Sequence, residues 1–71
     1  MSRVEDLVTM LSRQASARLL AMLKQGLLTR IDADIVRAHV DGIRIAGGLG
    51  TVEAERIIET TRRLVVEESA R

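Results

Sequence analysis

The chain has 71 residues, with no cysteine, no Phe, Tyr or Trp, and a formal charge of +1 from eleven basic and ten acidic side chains. It therefore holds one domain at most, forms no disulfide or thiolate metal site, and has no charge excess that demands a nucleic-acid or anionic-membrane partner. A single histidine, His39, does not make a conventional zinc site by itself, so no cofactor is expected.

A chain this short buries only about 60% of the surface its unfolded form exposes. Small scaffolds without a covalent or metal staple generally complete their cores with partner subunits. Apolar residues make up 46% of the sequence and none is aromatic, so the interior must be built from Leu, Ile, Val, Met and Ala. The expectation is a self-associating protein. No unbroken apolar run approaches the roughly 20 residues needed to span a bilayer. The opening MSRVEDLVTM carries acids where a signal peptide needs an apolar stretch. Lack of cysteine fits a reducing cytoplasm, which is the expected location.

The first predicted element opens with Ser2-Arg3-Val4-Glu5, a capping-box pattern in which the two polar side chains satisfy free N–H groups of the first turn. Behind it Val4, Leu7, Val8, Leu11, Ala15, Leu19, Met22 and Leu23 recur at three- and four-residue steps. Arg3, Asp6, Arg13, Gln14 and Arg18 lie largely off that stripe. The spacing predicts an amphipathic helix over 2–25, stopped by Gly26.

The middle element, IVRAHVDGIRIAGG at 35–48, supports two readings. As a helix, Ile31, Ile35, Ala38, Gly42, Ile45 and Leu49 follow a three- and four-residue rhythm. As strands, Val36, Ala38 and Val40 alternate with Arg37 and His39, and Ile43 and Ile45 flank Arg44. Asp41-Gly42 between alternating apolar residues is a strong hairpin signal, because a type I′ turn needs positive φ at both central positions. Glycine inside a helix, by contrast, costs about 1 kcal/mol. The β-branched content also suits strands. A hairpin over 34–46 is the expectation, with Arg37, His39 and Arg44 on its polar face.

The third element follows the break at Gly47-Gly48-Leu49-Gly50. Thr51 is a suitable N-cap, and Glu53 and Glu55 sit where the helix dipole favours anions. Ala54, Ile57, Ile58, Thr61, Leu64 and Val65 form its stripe, predicting a helix over 51–68.

The single domain, 1–71, is thus expected to be α+β: helix, β-hairpin, helix, and an obligate oligomer because an isolated two-stranded sheet is marginal and leaves open edges. An all-α three-helix bundle or oligomer is the alternative. The expected core and oligomer interface is Leu7, Leu11, Leu19, Leu23, Ile57, Ile58 and Leu64.

The segment Val36-Arg37-Ala38-His39-Val40-Asp41-Gly42-Ile43-Arg44-Ile45 and the later Ile58-Glu59-Thr60 resemble the small shell proteins of gas vesicles. That family shows a hairpin of the V-R-V-x-x-x-G-I-x-L kind and a later V-E-T in its second helix. The leucine-rich stretch Leu19 to Lys24 before Gln25-Gly26 is also similar. The resemblance implies hairpins laid side by side into a thin ribbed wall, one face apolar toward gas and the other wet. The chain departs from the family in its break at Ala46-Gly47-Gly48-Leu49-Gly50 and in having no aromatic residue.

No catalytic signature stands out. Gly48-Leu49-Gly50-Thr51 precedes a helix but lacks the Lys-Ser/Thr pair of a P-loop, and Glu53 occupies the third glycine position of a dinucleotide fingerprint. His39 with Asp32, Asp34 or Asp41 reads as a solvated strand histidine near capping and turn residues, and no nucleophile has a base at motif spacing. Arg37 and Arg44 are the candidate nucleic-acid contacts, as in β-ribbon readers, though no aromatic side chain is present for base stacking. The expected function is a non-enzymatic, self-assembling structural or interaction protein, most concretely a gas-vesicle-like shell component. Its partners would be copies of itself, with other proteins also open. A small dimeric nucleic-acid-binding protein using a basic hairpin face is the alternative, and an all-helical assembly adaptor follows if the hairpin does not form.

Overall fold

A computed structural model describes residues 3–70, apart from the side chain of Val4, so the capping box of Ser2-Arg3-Val4-Glu5 lies outside the described residues. Three helices follow one another: α1 (Arg3–Lys24), α2 (Ala33–Gly47) and α3 (Thr51–Ser69). There is no strand among the described residues, so the α+β helix–hairpin–helix expectation is corrected to an all-helical fold.

The termini show why these segments are helices. α1 ends in a Schellman arrangement: the Leu27 N–H donates to the Met22 carbonyl at 2.9 Å and the Gly26 N–H to the Leu23 carbonyl at 3.1 Å. Gly26 takes φ +82°, a left-handed conformation that costs glycine nothing. α2 opens on Asp32, whose carboxylate accepts from the Ile35 N–H at 2.9 Å. It closes on Gly48 at φ +67°, with the N–H groups of Gly48 and Leu49 both donating to the Arg44 carbonyl. The expected first strand is therefore a capped helical turn. α3 has Gly50, not Thr51, at its N-cap, with no side-chain cap bond.

Asp41-Gly42 forms no turn and lies inside α2. The helix wins on burial. It puts Val36 and Val40, one turn apart, into the core at 1% and 0% exposure. Burying two valines contributes about 3–6 kcal/mol by apolar transfer, against about 1 kcal/mol for a glycine within a helix. The buried stripe differs from the helical rhythm read from the sequence as well: Ala38, Gly42 and Ile45 face solvent, while Ile35, His39 and Ile43 are half-buried beside the two valines.

α1 and α3 share the largest interface, α2 packs mainly on α3, and α2 touches α1 only lightly. Glu5 pairs with Arg56 at 3.8 Å, Ser12 reaches the Ile57 carbonyl, and Arg13 to Leu20 face Leu64 to Glu68. Numbers thus rise together along α1 and α3, which run parallel. α2 runs the other way, its start (Ile31 to Val36) lying by Arg62 to Val66 and Arg37 by Glu55. The topology is up-down-up.

The core is Val8, Leu19, Val36, Val40, Ala54, Ile57 and Ile58, with Leu11, Leu28, Ile31, Ile35 and Leu49 packed against it. Small residues are buried on both long helices, Ser12, Ala15 and Ser16 on α1 and Ala54 and Thr61 on α3, beside the larger Val8, Leu19, Ile57, Ile58 and Val65. Small side chains let the two backbones approach closely enough for the Ser12 hydroxyl to donate across to the Ile57 carbonyl at 3.5 Å. Of the seven residues expected in the core, Leu19, Ile57 and Ile58 are buried and Leu7, Leu11, Leu23 and Leu64 are half-buried.

Candidate functional site

Three features of the surface and seams remain after packing is accounted for. The first is on α2. Arg37 and Arg44, seven residues apart, share one helix face, but His39 turns away from them toward the interior. Arg37 donates to both carboxylate oxygens of Glu55 on α3, at 2.8 and 3.5 Å. That partner favours the charged guanidinium further, with smaller help from Asp41 and Asp34, and it holds the Glu55 carboxyl below its usual range. Arg44 is half-buried in the last turn of α2, where its carbonyl receives the closing N–H groups. Acids thus alternate with the two arginines along this helix, and the basic hairpin face expected from the sequence does not form.

The second feature is His39 itself. Its Nε2 is buried and has no hydrogen-bond partner among the described residues. Burial pushes its pKa below the ordinary 6.5, and the charge of Arg18 on α1 pushes the same way. Both effects favour the neutral ring, which is half-buried with Nε2 out of water on the side of α2 nearest Arg18. Thr61 Oγ1, fully buried in α3, is the other orphaned polar atom among the described side chains. Neither has a metal-binding neighbourhood: the described residues hold no group of three His, Cys, Asp or Glu side chains able to share an ion.

The third feature is aliphatic. Met10, Leu27, Ile45, Val52 and Val66 face outward at 49–77% exposure. On α3, Val52 and Val66 lie fourteen residues apart on the side opposite Ile57 and Thr61. Ile45 (77%) and Val52 (70%) flank the Gly47–Gly50 turn, together with exposed Ala46 and half-buried Leu49. Two of the five exposed large hydrophobics among the described residues thus lie at this end of the bundle. An open cleft of about 390 Å³ between α1 and α3 is lined by Arg13, Ser16, Ala17, Leu20, Leu64, Glu67 and Glu68, and the Ser16 hydroxyl in it donates to the Arg13 carbonyl at 3.1 Å.

Gly48-Leu49-Gly50-Thr51 serves as the closing cap of α2 and the entry to α3. At Gly50 an added Cβ would fall 2.5 Å from the Glu53 carboxylate, so the Glu53 side chain folds back over the entry to α3. Sequence reasoning missed the seam position of His39 because it read the residue on a strand. A signal was present in its spacing: His39 falls three residues after Val36 and one before Val40.

No helix among the described residues is long and apolar enough to cross a membrane. The residues that resemble the gas-vesicle hairpin fold here as α2, so the ribbed sheet that the likeness implied has no strands to form from. No protein-family model, curated protein or solved structure matches this chain.

Proposed function

We propose that the chain is a non-enzymatic helical assembly module that associates with copies of itself through outward-facing aliphatic residues around the α2–α3 turn. Supporting this reading is its surface. A compact monomer of 7.8 kDa exposes about 4,400 Å² by the usual scaling with mass, whereas this chain exposes 5075 Å². The excess, roughly 700 Å², is close to the roughly 800 Å² that each partner buries in a standard interface. Scattered apolar side chains on a surface are ordinary. Here, however, Ile45, Ala46 and Val52 gather at one end, on a molecule only 16 Å thick along its shortest axis.

The expected self-association survives the loss of the hairpin, because it rests on aliphatic surface and not on open strand edges. A compartment without disulfide chemistry, such as the cytoplasm, suits a chain with no cysteine.

Sedimentation velocity from 5 to 200 µM tests the proposal. A mass that is a multiple of 7.8 kDa supports it, with Ile45→Asp plus Val52→Asp shifting the chain to monomer while its helical circular dichroism is retained. A monodisperse monomer across the whole range overturns it.

A further inference from the structure

The α1·α2 seam is the thinnest helix interface in the molecule, and it carries the least satisfied titratable side chain. α2 is held to α3 by the Arg37–Glu55 pair and by Val36 and Val40, which reach the shared core. It is joined to α1 by an eight-residue connection, residues 25–32, closed at one end by Gly26 and at the other by the Asp32 cap. Against α1 it has only the Val8 and Leu19 side of that same core, with no ion pair between α1 and α2 among the described residues. Into that weak seam the fold places an imidazole whose Nε2 is out of water and has no partner among the described residues.

We propose that His39 makes the α1·α2 seam a proton-operated hinge: protonation of the ring opens α2 away from α1 while α2 stays on α3 and α1 stays packed with α3. A neutral imidazole leaves one buried lone pair or one N–H unmatched, which is tolerable. An imidazolium has N–H on both nitrogens and a net charge. In this seam the buried N–H has no acceptor, and the charge faces Arg18. An unpaired buried charge is far costlier than an unpaired neutral group.

Arg18, from α1, is the charged side chain that acts on the ring. No carboxylate from α1, α2 or α3 does so among the described residues, so none offsets the new charge. Opening lets water reach Nε2 and separates the two cations. The interface with the fewest contacts yields first, because it gives up the least packing. Acidification below the ordinary histidine value of 6.5 is the trigger, since it drives the proton toward the ring while most carboxylates stay ionised.

The absence of native cysteine makes the test direct. Spin labels at Ala21→Cys and Ala38→Cys report the α1–α2 separation, and labels at Gln14→Cys and Arg63→Cys report α1–α3; all four positions are exposed. Pulsed dipolar spectroscopy is run at pH 7.5 and 5.5. The expected result is loss of the short α1–α2 distance at pH 5.5 with the α1–α3 distance unchanged. His39→Leu should keep α2 closed at both pH values, and Arg18→Gln should move the transition to lower pH. Circular dichroism at pH 7.5 verifies that each variant folds. If both distances lengthen together, the acid response is general unfolding and the hinge is wrong. It is equally wrong if the α1–α2 distance does not change, or if the change persists in His39→Leu.

Discussion

Thr61 is fully buried on α3 and its hydroxyl finds no partner among the described residues. A buried polar group left unpaired costs about 1–3 kcal/mol, and valine has nearly the same shape without that group. Thr61→Val is therefore expected to raise stability by about 1–2 kcal/mol, read as a higher urea midpoint at unchanged slope. A lower midpoint would show that the hydroxyl is bonded in solution. Gly42 offers a second gain. It is exposed within α2, its φ lies outside the left-handed region, and an added Cβ meets nothing within 4 Å. Gly42→Ala should stabilise by about 0.5–1 kcal/mol through helix propensity alone. The same change would destabilise a type I′ turn, so the sign of this one thermal-melt shift separates helix from hairpin. Gly48, at φ +67°, should respond in the opposite direction.

Among the elements, α2 shows what decides a contested segment. The hairpin reading relied on Asp41-Gly42 and on alternation, both local signals. The helix reading had local punctuation of its own, with Asp32 in front and Gly48 behind, separated by the fifteen residues of α2. Asp32→Ala removes the one side-chain cap of this helix and should cost about 1 kcal/mol, with most of the lost protection appearing in amides of the first turn of α2 by hydrogen exchange. Uniform loss across all three helices would mean that the cap stabilises the fold only globally. α1 and α3 were far more legible. Their stripes run for about three turns or more and both are bounded by glycine, so residues 2–25 and 51–68 anticipate Arg3–Lys24 and Thr51–Ser69 closely. The sequence does not reveal that Leu7, Leu11, Leu23 and Leu64 sit at the margin of the core while Ser12, Ser16 and Thr61 lie within it. Side-chain size bears on that outcome: Ser12 is small enough for its hydroxyl to reach the Ile57 carbonyl on the parallel α3, a contact no apolar stripe announces.

At the scale of the whole molecule, stability should fall with acid in two separate windows. The pKa of His39 is depressed in the folded state, so the unfolded chain binds more protons below pH 6.5. The corresponding stability is fully present above 6.5 and is lost as pH drops from there toward the folded value. Glu55 is depressed from 4.5 by Arg37, so its contribution is present above that value and lost at more acid pH. The Glu55 pair is solvent-exposed and screened, so its step should be the smaller of the two. Urea midpoints measured from pH 8 to pH 3 should show both steps, and His39→Leu should erase only the upper one. Persistence of the upper step in that variant would assign it elsewhere. A radius of gyration of 11.8 Å is slightly above the roughly 11 Å expected for a compact chain of this length, consistent with the extra surface on which the proposed self-association rests.

The sequence by itself determined the outer two helices, the absence of crosslinks and the aliphatic character of the interior, because composition and long-range periodicity are properties of the chain. Only the tertiary structure decided the state of residues 33–47, the direction in which His39 points and the pairing of Arg37 with Glu55. Each depends on a neighbour distant along the chain: α3 supplies the apolar surface that makes burying Val36 and Val40 outweigh a glycine in mid-helix, and no local pattern encodes which surface will be there.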